Sequence, residues 1–469
     1  RRMVWAAGAT VLAAGLIIWP GPGDQSLAAE VDFSRLENLP GAEKIPPPPR
    51  SLADQKIQID PNEPISLAQF IDLALSNNPS TRQAWQEARA AAAELGQARS
   101  PLYPQVSIQY DLNYQRAGPS LGADDFEETN WGPTLKLNYL LLDAGSRSAA
   151  ITQALEQLSA ASQQYRQTLQ DLLLSVEEAY YNYTSAHMSI AAAEASLGYT
   201  QTALEVAEDK HKVGLIGKAD VLQAQANKAE AAYQLEAARG QVMSAWINLS
   251  QVAGLPLHPP LKAALPAQIR TDLVNQPAKE LVKKAIEQRA DLKALRATIK
   301  SSQAAVEAAR AKMWPSLSTE LQVEFNDYSD KDPEFDYAAF LVVSYDLFTG
   351  FSNSYGLIAA QAKAQAAQAQ LASIEHQTAT AVLVQYTSYQ TALHAVRSSQ
   401  AYLASAEASH ELQLALYKQG QAAMVDVVNA QTKLADARVK LVQAKTRVYL
   451  AVARLAHASG AMVLPEEKR

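Results

Sequence analysis

Val106-Ser107-Ile108-Gln109-Tyr110-Asp111-Leu112-Asn113-Tyr114 alternates apolar and polar side chains at every step. Successive side chains of a β-strand point to opposite faces, so the stretch reads as a strand with one oily and one wetted face. The pattern returns with Leu135, Leu137, Tyr139 and Leu141 set against Thr134, Lys136 and Asn138. It returns again with Leu317, Thr319, Leu321, Val323 and Phe325 set against Ser318, Glu320, Gln322, Glu324 and Asn326. A fourth segment carries Ala339, Leu341, Val343, Tyr345 and Leu347 on one face and Phe340 and Val342 on the other. Each predicted strand is about ten residues long, the length of a tilted strand crossing a bilayer core. Acidic stretches, 124–128 and 327–336, link the members of each pair.

Working outward from the strands, the chain is one unit written twice. Tyr180 and Tyr183 recur as Tyr386 and Tyr389, Gly214 as Gly420, Asp220 as Asp426, Ala224-Gln225 as Ala430-Gln431 and Gly254 as Gly460, all at the offset 420 − 214 = 206. Pro104 matches Pro315 and Gly145 matches Gly350, marking the junctions between strands and helices. Self-similarity of this kind is the signature of an internal repeat. Each copy predicts a helix, two strands, a very long helix, a tight turn and a helix back. Ser66 with Gln69 forms a capping box for a helix over 67–76, and Asn77-Asn78-Pro79 stops it. Residues 80–99 and their counterpart near 291–312 are rich in Ala, Gln, Glu and Arg and read as helix.

After each strand pair proline vanishes: none stands between Pro133 and Pro256, or between Pro333 and Pro465. The stretch from Ser146 to Val213 would make a helix of roughly 100 Å, with Gly198 its one candidate interruption. Helices of that length belong to coiled coils or elongated walls. Val213-Gly214-Leu215-Ile216-Gly217 and Gln419-Gly420-Gln421 reverse them.

Arg1 and Arg2, the apolar run Met3–Trp19 and the small residues Ser26-Leu27-Ala28-Ala29 give the order of an export signal over 1–29; an uncleaved anchor is the alternative. Pro46-Pro47-Pro48-Pro49 lies in a Pro-rich leader over 30–64. The expected organisation continues with a first repeat over 65–254, a linker and helix over 255–289, a second repeat over 290–460 and a tail over 461–469.

The chain has 469 residues, 48% of them hydrophobic and 19% charged, with a net charge of −7. That balance excludes a disordered chain and argues against a nucleic-acid partner held through phosphates. With no cysteine, disulfides, thiolate metal sites and a cysteine nucleophile are excluded. No P-loop, H-E-x-x-H or G-x-S-x-G motif is present, and neither an enzyme activity nor a cofactor is expected. Glu208–His211 and Glu407–His410 have the Glu-x-x-His spacing of di-iron bundles but do not occupy equivalent repeat positions.

A two-faced strand needs an apolar neighbour on one side and water on the other. A second sheet would satisfy the oily face in a soluble sandwich, and lipid would satisfy it in an outer membrane. A barrel in lipid must close, and four strands fall short of the eight of the smallest single-chain barrels. The membrane reading therefore demands that several chains pool their strands, with the long helices hanging below as a second tube.

The arrangement resembles the TolC-like outer membrane factor family, the exit ducts of tripartite efflux pumps and type I secretion systems. The resemblance rests on residues 67–75 with Asn78-Pro79, on Pro101-Leu102-Tyr103-Pro104, on Leu142-Asp143-Ala144-Gly145-Ser146-Arg147, and on the turns from Val213 to Gln225 and from Tyr417 to Gln431. It implies an α+β membrane protein: a homotrimer whose four strands per chain make a twelve-stranded outer-membrane barrel, continuous with a periplasmic helical barrel. It also implies a periplasmic adaptor protein at the tip turns Val213, Gly214, Leu215, Gln419, Gly420 and Gln421, and an inner-membrane ABC or RND-type pump that supplies the energy. In the family the tips form the gate. Tyr417 and Asp426 match its Tyr and first Asp, and Asp220 matches a gate-linking Asp. Asn429 and Ala422 stand where the family has a second Asp and an Arg, so a weaker or differently bonded closure is the expectation.

Plainer roles are also available to these residues. Asp220 and Asp426 each follow a turn and open a helix, where an N-cap is the default assignment. Gly214 and Gly420 suit left-handed turn geometry, and the tyrosines at 180, 181, 183, 386 and 389 suit helix packing. The rival classes are a periplasmic adaptor, which also has long hairpins, and a soluble long-helix di-iron protein; neither explains two symmetrically placed strand pairs.

Overall fold

The computed structural model describes residues 65–117, 126–255, 276–329 and 332–462. The first pass through the unit gives α1 (Leu67–Asn77), α2 (Pro79–Arg99), β1 (Gln105–Ala117), β2 (Phe126–Leu142), α3 (Ser146–Lys212) and α4 (Lys218–Val252). The second gives α5 (Ala278–Gln288), α6 (Ala290–Ala311), β3 (Ser316–Tyr328), β4 (Glu334–Ser344), α7 (Ser352–Lys418) and α8 (Met424–Ala458). The long helices α3 and α7 have 67 residues each, and the returning helices α4 and α8 have 35 each. Gly198 does not interrupt α3, whose backbone bonds continue through it. The predicted signal peptide 1–29, leader 30–64, residues 256–275 of the linker and residues 463–469 of the tail lie outside the described residues.

Local chemistry sets the helix boundaries. Ser66 Oγ accepts from the Gln69 amide at 3.4 Å while Gln69 Oε1 accepts from the Ser66 amide at 2.8 Å, which completes the capping box. Asn78 ends α1 and caps α2, accepting from the Ser80 amide at 2.9 Å, with Pro79 at the first helical position.

The four strands form one antiparallel sheet in the order β1-β2-β3-β4, with the β2–β3 ladder joining the repeats. Register aligns Ile108, Leu135, Val323 and Tyr337 in one row and Gln109, Thr134, Glu324 and Asp336 in the next. The alternating apolar residues of all four strands therefore share one face, while Phe340 and Val342 of β4 lie on the other. The shared face is bare: Ile108 is 72% exposed and Leu341 69%. The strands run longer than the predicted ten residues in β1 and β3, with 13 each, and in β2, with 17. β4 stops at Ser344, short of Tyr345 and Leu347, because its partner Ser316 is the first residue of β3 and no ladder exists beyond it. The acidic stretches are only partly loops, since Glu127, Glu128, Asp327 and Asp336 sit within strands. Gly132 allows β2 to approach β3, for a Cβ there would collide with the Phe325 carbonyl.

Near the strands the helices lie in the order α2-α3-α6-α7; nearer the tip turns the order is α4-α3-α8-α7. Burial follows this slab as a series of small clusters. Small residues let helices approach, as where Ala88, Ala91 and Leu95 of α2 meet Ala154, Leu158 and Tyr165 of α3. The largest cluster packs Phe70 of α1, Tyr180 and Tyr183 of α3 and Trp246 of α4, with the Tyr180 hydroxyl donating to the Ile65 carbonyl at 3.1 Å. Tyr389 is buried between α7 and α8, and Tyr181 stacks on Tyr449. The repeated tyrosines pack helices, as their spacing predicts.

Candidate functional site

The helix tips bring most of the sequence-nominated residues together. Gly214 has φ 74° and Gly420 φ 79°, a left-handed backbone that a side chain would strain. The Gly214 amide donates to His211 O and the Leu215 amide to Lys210 O, each at 2.9 Å. In the second copy the Gly420 amide donates to Tyr417 O at 3.0 Å and the Gln421 amide to Leu416 O at 2.9 Å. Both long helices thus end in the same two-bond glycine motif. Chemically the tips differ. The first presents Val213 at 70% and Leu215 at 72% exposure, while the second presents Gln419 and Gln421 to solvent.

The predicted N-cap role of the aspartates is corrected. Gly217 and Ala423 hold the extended N-cap conformation, so Asp220 and Asp426 stand three residues inside α4 and α8. From there Asp426 Oδ2 reaches back to accept from the Ala423 amide at 3.1 Å. Gln223, three residues beyond Asp220, instead donates to Asn227 at 3.4 Å. Asp426 and Asn429 are exposed, and Asp220 is half-buried.

Tyr417 is the buried member of the set, at 2% exposure. It packs with Ala203, Leu204 and Ala207 of α3, Val221 and Ala224 of α4, and Met424 and Val427 of α8, so the ring ties the two hairpins together. Its hydroxyl is buried without a hydrogen-bond partner among the described residues. Burial, and secondarily the Asp220 charge, push the phenol above its ordinary range. Sequence reasoning missed Lys210. From the last turn of α3 its Nζ donates to the Tyr417 carbonyl and lies 4.3 Å from the centre of the Tyr417 ring. A lysine caps the negative end of α7 in this way. Only the family's Arg, replaced here by Ala422, hinted that a cation belonged nearby.

The strand–helix junctions form the second group. Pro104 and Pro315 each stand immediately before a strand, and Gly145 and Gly350 take φ 90° and 60° where the chain turns into α3 and α7. The Arg147 guanidinium donates to the carbonyls of Leu140 at 2.6 Å, Pro101 at 3.1 Å and Leu141 at 3.1 Å, and lies 3.3 Å from Asp143. It stitches together the ends of β2, the turn after α2 and the start of α3. In the second copy Asn353 does a lighter version of this, donating to Lys312 O at 3.4 Å.

Among the described residues no three His, Cys, Asp or Glu side chains stand close enough to hold a metal, and no helix is long and apolar enough to cross a membrane. A bare apolar sheet carried on long helical hairpins fits the class of channel-forming outer-membrane exit ducts. The chain belongs to the outer membrane efflux protein family, whose sequence pattern matches residues 70–255 and 281–461. That is a transport family and not an enzyme family, and it places the chain in the outer membrane. The chain is 29% identical over 379 residues to Protein CyaE of Bordetella pertussis, covering 80% of this chain and 79% of that protein. It is 23% identical over 396 residues to outer membrane protein TolC of Escherichia coli, covering 81% and 79%. In fold it resembles the outer membrane protein VceC of Vibrio cholerae, with a TM-score of 0.74, 20% identity and coverage of 84% of this chain and 96% of that one. It also resembles the CmeC outer membrane channel of Campylobacter jejuni, with a TM-score of 0.75, 17% identity and coverage of 84% and 85%.

Proposed function

We propose that this outer-membrane efflux protein works as a homotrimeric channel-tunnel, each chain donating four strands to a twelve-stranded barrel and its hairpins to a helical tube. One observation carries the reading: among the described residues the sheet ends on two unpaired edges, β1 and β4, with an uncovered apolar face. Unpaired backbone groups are not tolerated in lipid, so β4 of one chain pairs with β1 of the next until the cylinder closes. The helical slab supports the same closure, because its lateral helices α4 and α7 expose Tyr233, Met243, Leu383 and Leu412. The repeat units 65–254 and 290–460, joined by the 255–289 linker, are the building blocks of this wall.

The duct is passive. A periplasmic adaptor docks at the tip turns Val213, Gly214, Leu215, Gln419, Gly420 and Gln421, and an inner-membrane ABC or RND-type pump drives cargo, as an efflux pump or a type I secretion system. Tyr417, Asp220, Asp426 and Asn429 gate it. Lys210 stands in for the absent Arg, and three Asp426 carboxylates about 6 Å apart would repel by roughly 1–3 kcal/mol per pair and attract cations. The junction residues Pro104, Gly145, Pro315 and Gly350 turn the wall from strand to helix. Purified protein in planar bilayers tests the reading: stepwise conductance from a detergent-solubilised trimer is expected. A monomer soluble without detergent, or a trimer that never conducts, would contradict it.

A further inference from the structure

About two to four helical turns above the tip turns, the two hairpins meet at a second polar seam that the gate does not use. Tyr199 of α3 is its centre. The Tyr199 carbonyl accepts from Gln431 Nε2 of α8 at 3.1 Å, and its hydroxyl accepts from Arg438 Nη2 of α8 at 3.1 Å. Arg438 also pairs with Glu407 of α7 at 3.6 Å. His410 of α7 stands edge-on to the Tyr199 ring, centroids 4.8 Å apart, and is 2% exposed. Both His410 Nε2 and Arg438 Nη1 are buried without a partner among the described residues. Glu407 and His410, three residues apart on α7, both belong to this seam.

We propose that His410 is a proton-sensitive latch on the seam joining α3 of the first hairpin to α7 and α8 of the second. The titratable and charged groups facing it are Tyr199 from α3, Arg438 from α8, and Glu407 and Glu411 from its own helix. Burial first and the Arg438 charge second hold the imidazole below its ordinary 6.5, with Glu411 opposing. A neutral imidazole fits the seam. A protonated one places a second buried cation beside Arg438 with no acceptor at Nε2, and like charges in a desolvated contact repel strongly. Because the packed state holds the proton less readily than an open one, the seam's stability is full above 6.5 and falls as pH drops below it. On the channel reading, which this consequence rests on, acid loosens the lower ends of the hairpins and favours open tips.

The cysteine-free chain suits site-directed spin labelling. Thr202 of α3 and Lys433 of α8 are exposed near the seam. The full-length protein carrying Thr202→Cys and Lys433→Cys is labelled and its spin–spin distances are measured at about pH 8 and about pH 5.5, either side of the imidazole range. The main distance is expected to lengthen by about 2–5 Å at the lower pH and to return on back-titration. His410→Phe abolishes the shift, and His410→Gln does so should the phenylalanine variant fail to fold. A distance that ignores pH in the labelled parent, or an acid shift that survives in a folded His410 variant, overturns the proposal. The readout is independent of conduction: a seam that opens in a protein that does not conduct supports the latch and removes only the channel consequence.

Discussion

Asn78 donates from Nδ2 to the carbonyl of Val252 at 2.8 Å, so the break between α1 and α2 seals the end of α4. The second repeat makes the same joint with a different residue: Arg289, at the break between α5 and α6, donates to the carbonyl of Ala458 at 3.2 Å and pairs with Asp291 at 2.6 Å. Gly254 and Gly460 then lie against Asn77–Asn78 and Arg289 respectively, with room for no side chain to spare. Asn78→Asp keeps the cap on α2 but cannot donate to Val252. It should cost about 1–2 kcal/mol, and Asn78→Ala more, read as a falling helical unfolding midpoint.

Arg147 should be irreplaceable by lysine. Its flat fork serves three carbonyls from two separate nitrogens, a geometry that the single nitrogen of an ammonium does not reproduce. Arg147→Lys is expected to lose about 2–3 kcal/mol, close to the loss from Arg147→Ala, measured as the temperature at which the oligomer dissociates on a semi-native gel. Full rescue by lysine would show that charge alone matters at this junction.

Two substitutions at the tip should part company. Lys210→Ala removes a helix cap and a cation over a ring, about 1–2 kcal/mol of closure, so the ratio of open to closed tips should rise roughly 5–30-fold in single-channel records. Tyr417→Phe keeps the ring and removes a buried hydroxyl that has no partner among the described residues. It should leave the channel as closed as before, or more so. An open Tyr417→Phe channel would mean that the hydroxyl is bonded across a chain boundary.

Asp426 is exposed and accepts from the backbone of its own helix start. Asp426→Ala should raise conductance and abolish block by divalent cations, at a stability cost of no more than about 1 kcal/mol. Persistent block would take Asp426 out of the gate and leave it as a helix-start residue.

Asp171 of α3 and His457 of α8 meet at 2.6 Å. Burial raises the Asp171 carboxyl, but the bond and charge of His457, helped by Gln167 and Arg289, outweigh it and hold the carboxyl below its ordinary 3.8. The contact therefore contributes stability above 3.8 that is lost as pH falls through the lower folded value. Asp171→Asn should flatten that acid-side slope of the unfolding midpoint. An unchanged slope would assign the acid sensitivity elsewhere.

Much of this was legible in the chain because both periods are strong. Alternation from Val106 to Tyr114 has one reading, and a long proline-free run turned back at Gly214 has another. The extent of the ladders was not legible, since Tyr345 alternates correctly but has no partner to pair with. The aspartates were misplaced by three residues because an Asp inside the first turn and an Asp at the cap leave similar sequence traces. Lys210, Arg438 and Arg289 act on residues more than 160 positions away, and no local pattern announces such contacts.

In the proposed shared barrel, the edges of β1 and β4 that stay unpaired among the described residues also constrain biogenesis. A solitary chain cannot be laid into hydrocarbon, because doing so would strand a row of amides and carbonyls with neither water nor a neighbour. On that proposal, insertion and ring closure form a single event. One crippled copy synthesised alongside healthy ones should poison whole assemblies, a dominant-negative effect out of proportion to its dose.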